Sequence, residues 1–229
     1  MIDPFNITKF DRTHEELEEF ALFAVAVAGH NAVTTAACLQ RFLGPHEVFS
    51  MTPFAVVRTF ASEEKLGRFL QGCGIGNWKS KARAFRELAD SGLDLKTCGT
   101  HELEELHGWG RKTSRFFLLH SQEGFRGAAL DTHILKYLSA TFPELPVPKV
   151  SPANAKRYRQ LELAFLSTVP PWMGVAEWDL EVWKRHARAP VTVSRTPKVR
   201  VVRERRGRTK AQLAKLDALE TKGVSEASV

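Results

Sequence analysis

The spacing of apolar residues constrains the fold of this chain more than any other feature of its sequence. Before Val191 almost every segment places apolar residues three and four positions apart, which is the period of one face of an α-helix. The only candidate for the alternating pattern of a strand is KVRVVRE at 198–204. We therefore predict an all-α fold built from helices of about a dozen residues with short connections.

Several predicted helices carry recognisable start and stop signals. Thr13 begins THEELEEF as an N-cap, with Glu16 three residues later to complete a capping box. Thr52 and Ser151 are each followed by proline, the residue favoured at the first helical position. The helix in NAVTTAACLQRFLGP is predicted to stop at Gly44-Pro45.

The net charge is concentrated in one short stretch near the end of the chain. The formal net charge is +7, and residues 195–210 alone contain eight Lys or Arg residues against one Glu. We predict that the folded part ends at about Pro190 and that 191–229 form a basic, flexible tail attracted to polyanions. A tail that only improves solubility is the alternative. TKAQLAKLDALETKG, within this tail, has the leucine spacing of a short amphipathic helix.

Cysteines and apolar runs exclude several classes of protein. The three cysteines, Cys38, Cys73 and Cys98, are widely spaced and contain no CxxC pair, so we expect buried free thiols, no disulfide and no metal site. No apolar run approaches the roughly 18 residues of a membrane span. ALFAVAVAG follows acidic residues instead of the basic segment of a secretory signal. We expect a cytoplasmic protein, associated with the nucleoid if prokaryotic, with no membrane partner.

The segment LHGWGRKTSRFF at 106–117 is predicted to bind a phosphate. A helix, a Gly-x-Gly turn and a basic second helix follow one another here. The start of a helix offers backbone N–H groups without partners, and glycine lets a ligand approach them closely. Gly108, Gly110, Arg111 and Thr113 are the candidate phosphate-binding residues. A plain turn between two helices is the alternative interpretation.

Lys112 and Asp131 are candidates for covalent chemistry. Asp131 directly precedes an apolar helical run, where it can cap the helix and stay ionised. One helix and a returning loop, SQEGFRG, separate it from Lys112, so the two side chains can face each other across a cleft. An amine beside a carboxylate suits nucleophilic catalysis through a Schiff base. The alternative is a surface lysine and an ordinary capping aspartate.

These residues belong to a longer segment, LHGWGRKTSRFFLLHSQEGFRGAALDTHILKYL, that closely resembles the helix-hairpin-helix, Gly/Pro-rich loop and catalytic aspartate of base-excision DNA glycosylases. That superfamily (HhH-GPD) includes endonuclease III and the 8-oxoguanine DNA glycosylases. CGIGNWKSKARAFREL and AGHNAVTTAACLQRFL are similar to other segments of the family, so the resemblance extends over about residues 15–188.

The resemblance implies a two-lobed helical fold with a cleft between the lobes. Residues 1–29 and 130–190 would form one lobe, and 30–129 would form the other, a helical barrel carrying the helix-hairpin-helix at about 100–121. The resemblance also implies a monomer that binds double-stranded DNA containing a damaged base.

The resemblance implies roles for individual residues as well. Lys112 is similar to the nucleophilic lysine of bifunctional members, and Asp131 to the aspartate that all members share. His133 matches a position that contacts a phosphate near the flipped nucleotide. Asn31, or its neighbour His30, matches the wedge that fills the vacated stack.

Lys81, in the segment similar to Gly-x-x-N-x-K-A, is expected to be a further DNA-binding residue. Two residues depart from the family pattern. His107 stands where proline is common, and Trp109 stands where a smaller aliphatic residue is usual. A tryptophan in the hairpin is expected to alter how closely DNA approaches.

The activity implied is that of a DNA glycosylase and AP lyase that flips out a damaged base, excises it through a lysine Schiff base and nicks the strand by β-elimination. No cysteine follows Cys98, so the iron–sulfur cluster usual in endonuclease III-like enzymes is not expected, and no other cofactor is.

The segment GVAEWDLEVWKRH is similar to the end of several prokaryotic 8-oxoguanine glycosylases, and this similarity favours 8-oxoguanine as the lesion. Trp178, Asp179 and Trp183 would then line the base pocket, although aromatic residues five apart on a helix are more often core residues. Two other functions stay open: the same enzyme class acting on oxidised pyrimidines or mismatched thymine, and a non-catalytic helix-hairpin-helix DNA-binding protein.

Overall fold

A computed structural model of the protein describes residues 2–47 and 51–187, and these residues form ten α-helices and no strand. The helices are α1 His14–Ala26, α2 Ala32–Glu47, α3 Pro53–Thr59, α4 Glu63–Gly72, α5 Trp78–Asp90, α6 Thr100–Glu104, α7 Arg111–Ser121, α8 Thr132–Thr141, α9 Ala155–Leu166 and α10 Val175–Ala187. The all-α prediction is confirmed. The basic tail, its flexibility and its short helix lie outside the described residues.

Local capping explains where most of these helices begin. The capping box of Thr13 and Glu16 starts α1, and Thr52 caps α3 with proline at its first position. Two predicted helix boundaries are wrong, the end of α2 and the start of α9. Helix α2 continues past Gly44-Pro45 to Glu47. Helix α9 begins at Ala155, not at Ser151-Pro152, because the side chain of Asn154 accepts a hydrogen bond from the N–H of Arg157.

Two apolar cores lie inside the described part of the chain. The first contains buried residues from Ile7 to Leu118, and the second contains buried residues from Leu119 to Val182. Helix α1 belongs to the first core, where Leu17 and the run from Phe20 to Ala26 are buried. The predicted grouping of residues 1–29 with 130–190 in one lobe stays a prediction. A helical segment that is apolar on every side must be surrounded by other elements, and α2, α3, α5 and α7 all contact α1.

Helix α7 connects the two cores and carries the predicted nucleophile at its first turn. Phe117 and Leu118 face the first core, and Leu119 faces the second. Residues before α1 pack on the other end of α7, where the N–H of Lys9 donates to the carbonyl of His120 at 3.1 Å. Within 2–47 and 51–187, none of the helices has the length and apolar character needed to cross a membrane.

Candidate active site

The turn between α6 and α7 uses its two glycines for different purposes. Gly108 has φ +81°, and a Cβ atom there would lie 2.9 Å from the Cβ of Ala84 in α5. Gly110 is the N-cap of α7 with φ −85°, and a Cβ there would have no neighbour within 4 Å. Gly108 therefore allows the turn to pack closely on α5, whereas Gly110 leaves the start of α7 open to a ligand.

The backbone at this turn offers an anion-binding group. The N–H groups of Gly108, Gly110, Arg111 and Lys112 donate to no partner in the described part of the chain, whereas the N–H of Thr113 donates to the carbonyl of Gly110 at 2.9 Å. Unpaired N–H groups at a helix start favour an anion both by hydrogen bonding and through the helix dipole. The turn therefore has the free backbone N–H groups that the predicted phosphate cradle requires.

The side chains predicted for the cradle are directed elsewhere. Arg111 donates from Nη1 to the carbonyl of Ala153 at 2.7 Å, so it ties α7 to the loop before α9. Thr113 is buried. Of the predicted cradle residues, only the two glycines and the backbone of Arg111 are placed for a phosphate.

Trp109 lies inside the first core and not on the open side of the turn. Its side chain is 2% exposed, and its ring meets Phe117 edge to face at 5.6 Å. The indole supports the hairpin from within the core, and an effect of Trp109 on the approach of DNA stays a prediction. His107 holds the same turn through Ser80, whose Oγ lies 2.9 Å from the imidazole Nε2.

Lys112 presents a desolvated amine. Its Nζ lies 5.3 Å from the ring centroid of Phe116, one turn further along α7. Burial lowers the pKa of Lys112, and the charges of Asp131 and Asp179 oppose that shift without reversing it. Within the described residues no hydrogen bond or ion pair holds the amine. These conditions favour the neutral, nucleophilic form of a lysine.

Asp131 is fixed by the helix that it begins. Its Oδ1 accepts hydrogen bonds from the N–H groups of His133 at 2.8 Å and Ile134 at 2.9 Å. The predicted N-cap is confirmed. Asp131 acts on the pKa of Lys112 through its charge although the two groups form no ion pair. The structure therefore brings Lys112 and Asp131 into one site, as the sequence predicted.

Asp179, predicted for the base pocket, belongs to the same site. It is buried on α10, and its Oδ2 lies 3.4 Å from Nε2 of His120. Burial raises the pKa of Asp179, and the interaction with His120 opposes this. His120 in turn lies 2.8 Å from the hydroxyl of Thr8. Sequence reasoning missed His120, although Lys112, Phe116 and His120 follow one another at four-residue steps on one face of α7.

The two tryptophans of α10 have different surroundings. Trp183 is partly buried and meets the ring of His133 edge to face at 6.0 Å. Trp178 lies in the second core, and its Nε1 donates to Oγ1 of Thr168 at 3.1 Å. The core interpretation therefore holds for Trp178. His133 has a buried Nδ1 with no hydrogen-bond partner among the described residues.

The predicted wedge residues lie at the turn between α1 and α2. Asn31 is exposed and caps α2, its Oδ1 accepting a hydrogen bond from the N–H of Thr34 at 3.0 Å. His30 is exposed and lies against Gly76, where an added Cβ would be 2.5 Å from the imidazole. Both side chains are therefore exposed, as the predicted role of filling the space left by a flipped base requires.

Lys81 supports that turn from inside. It is 5% exposed and donates from Nζ to the carbonyl of Ala26, the last residue of α1. Burial lowers its pKa to about 8. It lines a cavity of about 230 Å³ together with Cys38 and His30. The expectation that Lys81 contacts DNA directly is replaced by a supporting role, because its amine is already bound to the backbone beneath the wedge.

The described residues contain no group of three or more His, Cys, Asp or Glu side chains that is arranged to hold a metal ion. Cys38, Cys73 and Cys98 are all buried and free, as predicted.

Comparison with solved structures identifies the fold. The Methanocaldococcus jannaschii 8-oxoguanine glycosylase/lyase, solved in complex with 15mer DNA containing 8-oxoguanine, is 19% identical over 77% of this chain and 83% of its own, with a TM-score of 0.58. The 8-oxoguanine DNA glycosylase of Thermotoga maritima is 21% identical over 76% of this chain and 81% of its own, with a TM-score of 0.58. The chain matches no protein-family model and no curated protein sequence. At these identities the likeness concerns the fold, which is the helical glycosylase fold that the sequence resemblance implied.

Proposed function

We propose that this protein is a base-excision DNA glycosylase with AP-lyase activity. The observation that carries the proposal is the desolvated amine of Lys112, at a phosphate-binding helix start and within electrostatic reach of Asp131 and Asp179. A module that only grips DNA needs the helix start but gains nothing from a buried amine beside two carboxylates. The non-catalytic alternative is therefore disfavoured.

Binding would begin at the phosphate backbone of double-stranded DNA. The free N–H groups at Gly108, Gly110 and Arg111 would hold a phosphate near the lesion, and the exposed Asn31 and His30 would fill the space that the flipped nucleotide leaves. Such contacts offset the few kcal/mol that unstacking and unpairing the base require. A monomer in the cytoplasm is sufficient for this arrangement.

The chemistry would proceed at C1′ of the flipped nucleotide. Nζ of Lys112 forms a bond to C1′ as the bond from C1′ to the base breaks, and the base leaves with the bonding electrons. Asp131, whose Oδ1 accepts two backbone N–H groups, stabilises the positive charge that develops on the sugar. Opening of the sugar ring gives a Schiff base, and loss of a C2′ proton then expels the 3′ phosphate and nicks the strand.

The favoured substrate is 8-oxoguanine. The Methanocaldococcus jannaschii and Thermotoga maritima proteins compared above are an 8-oxoguanine glycosylase/lyase and an 8-oxoguanine DNA glycosylase, and the partly buried Trp183 beside His133 offers an aromatic surface for a flipped base. Oxidised pyrimidines and mismatched thymine stay as the alternative substrates.

Borohydride trapping tests the activity directly, because it converts a Schiff base into a stable protein–DNA adduct. Duplexes containing 8-oxoguanine opposite cytosine, thymine glycol or an abasic site should be compared on the wild type, Lys112→Gln and Asp131→Asn. Lys65→Gln, which changes an exposed lysine of α4, is the matched control. We expect an adduct on 8-oxoguanine and abasic DNA that Lys112→Gln abolishes and Lys65→Gln does not affect.

Each of the other results has a definite meaning. An adduct only on the abasic duplex would support the lyase and overturn the assignment of 8-oxoguanine. An adduct that persists in Lys112→Gln would assign the nucleophile to another amine. Retained DNA binding without any adduct would overturn the bifunctional mechanism.

A further inference from the structure

The two carboxylates near Lys112 are held in opposite ways. Asp131 lies at a helix start and its Oδ1 accepts two backbone N–H groups, an arrangement that stabilises a negative charge. Asp179 is buried on α10, and its Oδ1 has no hydrogen-bond partner among the residues that the structure describes. A buried carboxylate with an unpaired oxygen is more stable protonated than ionised. The two groups are therefore suited to different tasks.

The partly buried Thr8 and the buried His120 fix the orientation of Asp179. The hydroxyl of Thr8 lies 2.8 Å from Nδ1 of His120, and Nε2 of His120 lies 3.4 Å from Oδ2 of Asp179. A hydroxyl that donates to Nδ1 leaves the ring proton on Nε2, pointing towards the carboxylate. His120 is itself held in place. The centroid of its ring lies 5.2 Å from that of Phe116, and the backbone carbonyl of His120 accepts a hydrogen bond from Nη1 of Arg12 at 2.7 Å.

We propose that Asp179, positioned by His120 and Thr8, accepts the proton that Lys112 must lose before it attacks, while Asp131, held by two backbone N–H groups, stabilises the charge that develops on the sugar. The proposal rests on the proposed function. In this step an N–H bond of the Lys112 ammonium breaks and an O–H bond forms at Oδ1 of Asp179. One positive and one negative group become two neutral groups, so the net charge of the site does not change.

Burial supplies the reason for the direction of transfer. It lowers the pKa of Lys112 and raises that of Asp179, so both shifts favour the neutral pair over the charged one. The charged or titratable groups that face Asp179 are Lys112 and His120 from α7, Asp131 from α8 and the phenol of Tyr158 from α9. The negative charge of Asp131 further favours a proton on Asp179. His120 opposes protonation, and we assign it the positioning of the carboxylate.

The proposal predicts the shape of a pH profile. While the amine and Asp179 share one proton, the fraction of neutral amine does not depend on pH, so the wild-type rate of trapping on an abasic duplex should be flat over about two pH units around neutrality. In Asp179→Asn the proton must leave to solvent. The rate should then be at least about tenfold lower at pH 7 and should rise about tenfold per pH unit towards the wild-type value.

Variants of His120 separate positioning from simple packing. His120→Gln keeps a donor near the position of Nε2, whereas His120→Leu and Thr8→Val remove the polar contacts at similar volume. We expect His120→Leu to acquire a sloping pH profile, Thr8→Val a smaller slope, and His120→Gln to restore part of the flat region. Ser121→Ala removes the adjacent buried hydroxyl of α7 and should keep the wild-type profile at a comparable loss of thermal stability.

The experiment uses the full chain, saturating abasic duplex and single turnover, and it compares each variant with the wild type at every pH so that the pH dependence of the reductant cancels. A flat pH profile in Asp179→Asn would overturn the proposal. A faster reaction of Asp179→Asn at pH 7 would also overturn it, because it would mean that the charge of Asp179 only keeps Lys112 protonated. Either outcome leaves the proposed function intact as long as the wild type forms the adduct. A wild type that forms no adduct on abasic DNA would overturn both.

Discussion

At the residue scale, Gly108 and Gly110 flank the same tryptophan but should respond differently to an added methyl group. Gly108→Ala places a Cβ 2.9 Å from Ala84 at φ +81°, so we expect the free energy of unfolding to fall by about 1–3 kcal/mol. Gly110→Ala meets open space at a normal φ and should change stability by less than about 0.5 kcal/mol. Urea unfolding of the two variants measures the difference.

The same pair separates stability from ligand binding. A methyl group on Gly110 projects into the space through which a phosphate reaches the helix start, so Gly110→Ala should weaken the binding of duplex DNA although it unfolds like the wild type. Equal DNA affinity in Gly110→Ala and the wild type would show that the phosphate does not approach from this side.

Lys81 should make the stability of the protein depend on pH. Its pKa is lowered from 10.5 to about 8 in the folded state, so between these values the unfolded chain binds a proton that the folded chain does not. The free energy of unfolding should therefore rise with pH in this window, by roughly 1–3 kcal/mol in all. Lys81→Met should remove that rise, and Lys65→Met, at an exposed position, should retain it.

Sequence patterns located the residues of the site that have local signals. Asp131 could be predicted because a capping residue must stand directly before an apolar helical run, and Lys112 because it follows the Gly-x-Gly turn. His120 could not be found in this way, since its partner Thr8 lies 112 positions away in the sequence. Burial of Trp109 and Lys81 was missed for the same reason, as it depends on helices that only the fold brings together.

At the element scale, Asp131 has two functions that substitution can separate. Its side chain caps α8 through two hydrogen bonds, and its charge acts on Lys112. Asp131→Asn keeps an N-cap oxygen and should unfold close to the wild type, but its trapping rate on 8-oxoguanine should fall by at least about 100-fold. Asp131→Ala should show that loss and in addition be about 1 kcal/mol less stable.

Circular dichroism with thermal melts, run beside the trapping assay, distinguishes the two losses. Full activity in Asp131→Asn would mean that the carboxylate only caps the helix.

The first and last residues of the helices were predictable from the sequence to within a few residues. Helix α9 shows why the remainder was not: two capping signals, Ser151 and Asn154, stand three positions apart, and only the structure shows that Asn154 accepts the hydrogen bond.

At the scale of the whole molecule, the site depends on both apolar cores. Helix α7 is the element that they share, so Lys112 in its first turn stays in a fixed position relative to Asp131 on α8 and Asp179 on α10. The helical periodicity predicted the individual helices. It could not decide which helices share a core, because the second half of α1, from Phe20 to Ala26, is apolar on every side and fits either core.

The basic stretch at 195–210 should act on affinity and leave the chemistry unchanged. Eight Lys or Arg residues against one Glu can displace counterions from DNA, whereas the amine and both carboxylates lie on α7, α8 and α10. Deleting 195–229 should make the salt dependence of duplex binding shallower, lowering the slope of log K against log salt by at most about 6 units. Trapping at saturating DNA should keep the wild-type rate, since Lys112, Asp131 and Asp179 all lie outside the deleted segment. A slope that stays the same would assign the phosphate contacts to residues before 195, and a lower trapping rate at saturation would mean that the basic stretch takes part in the reaction itself.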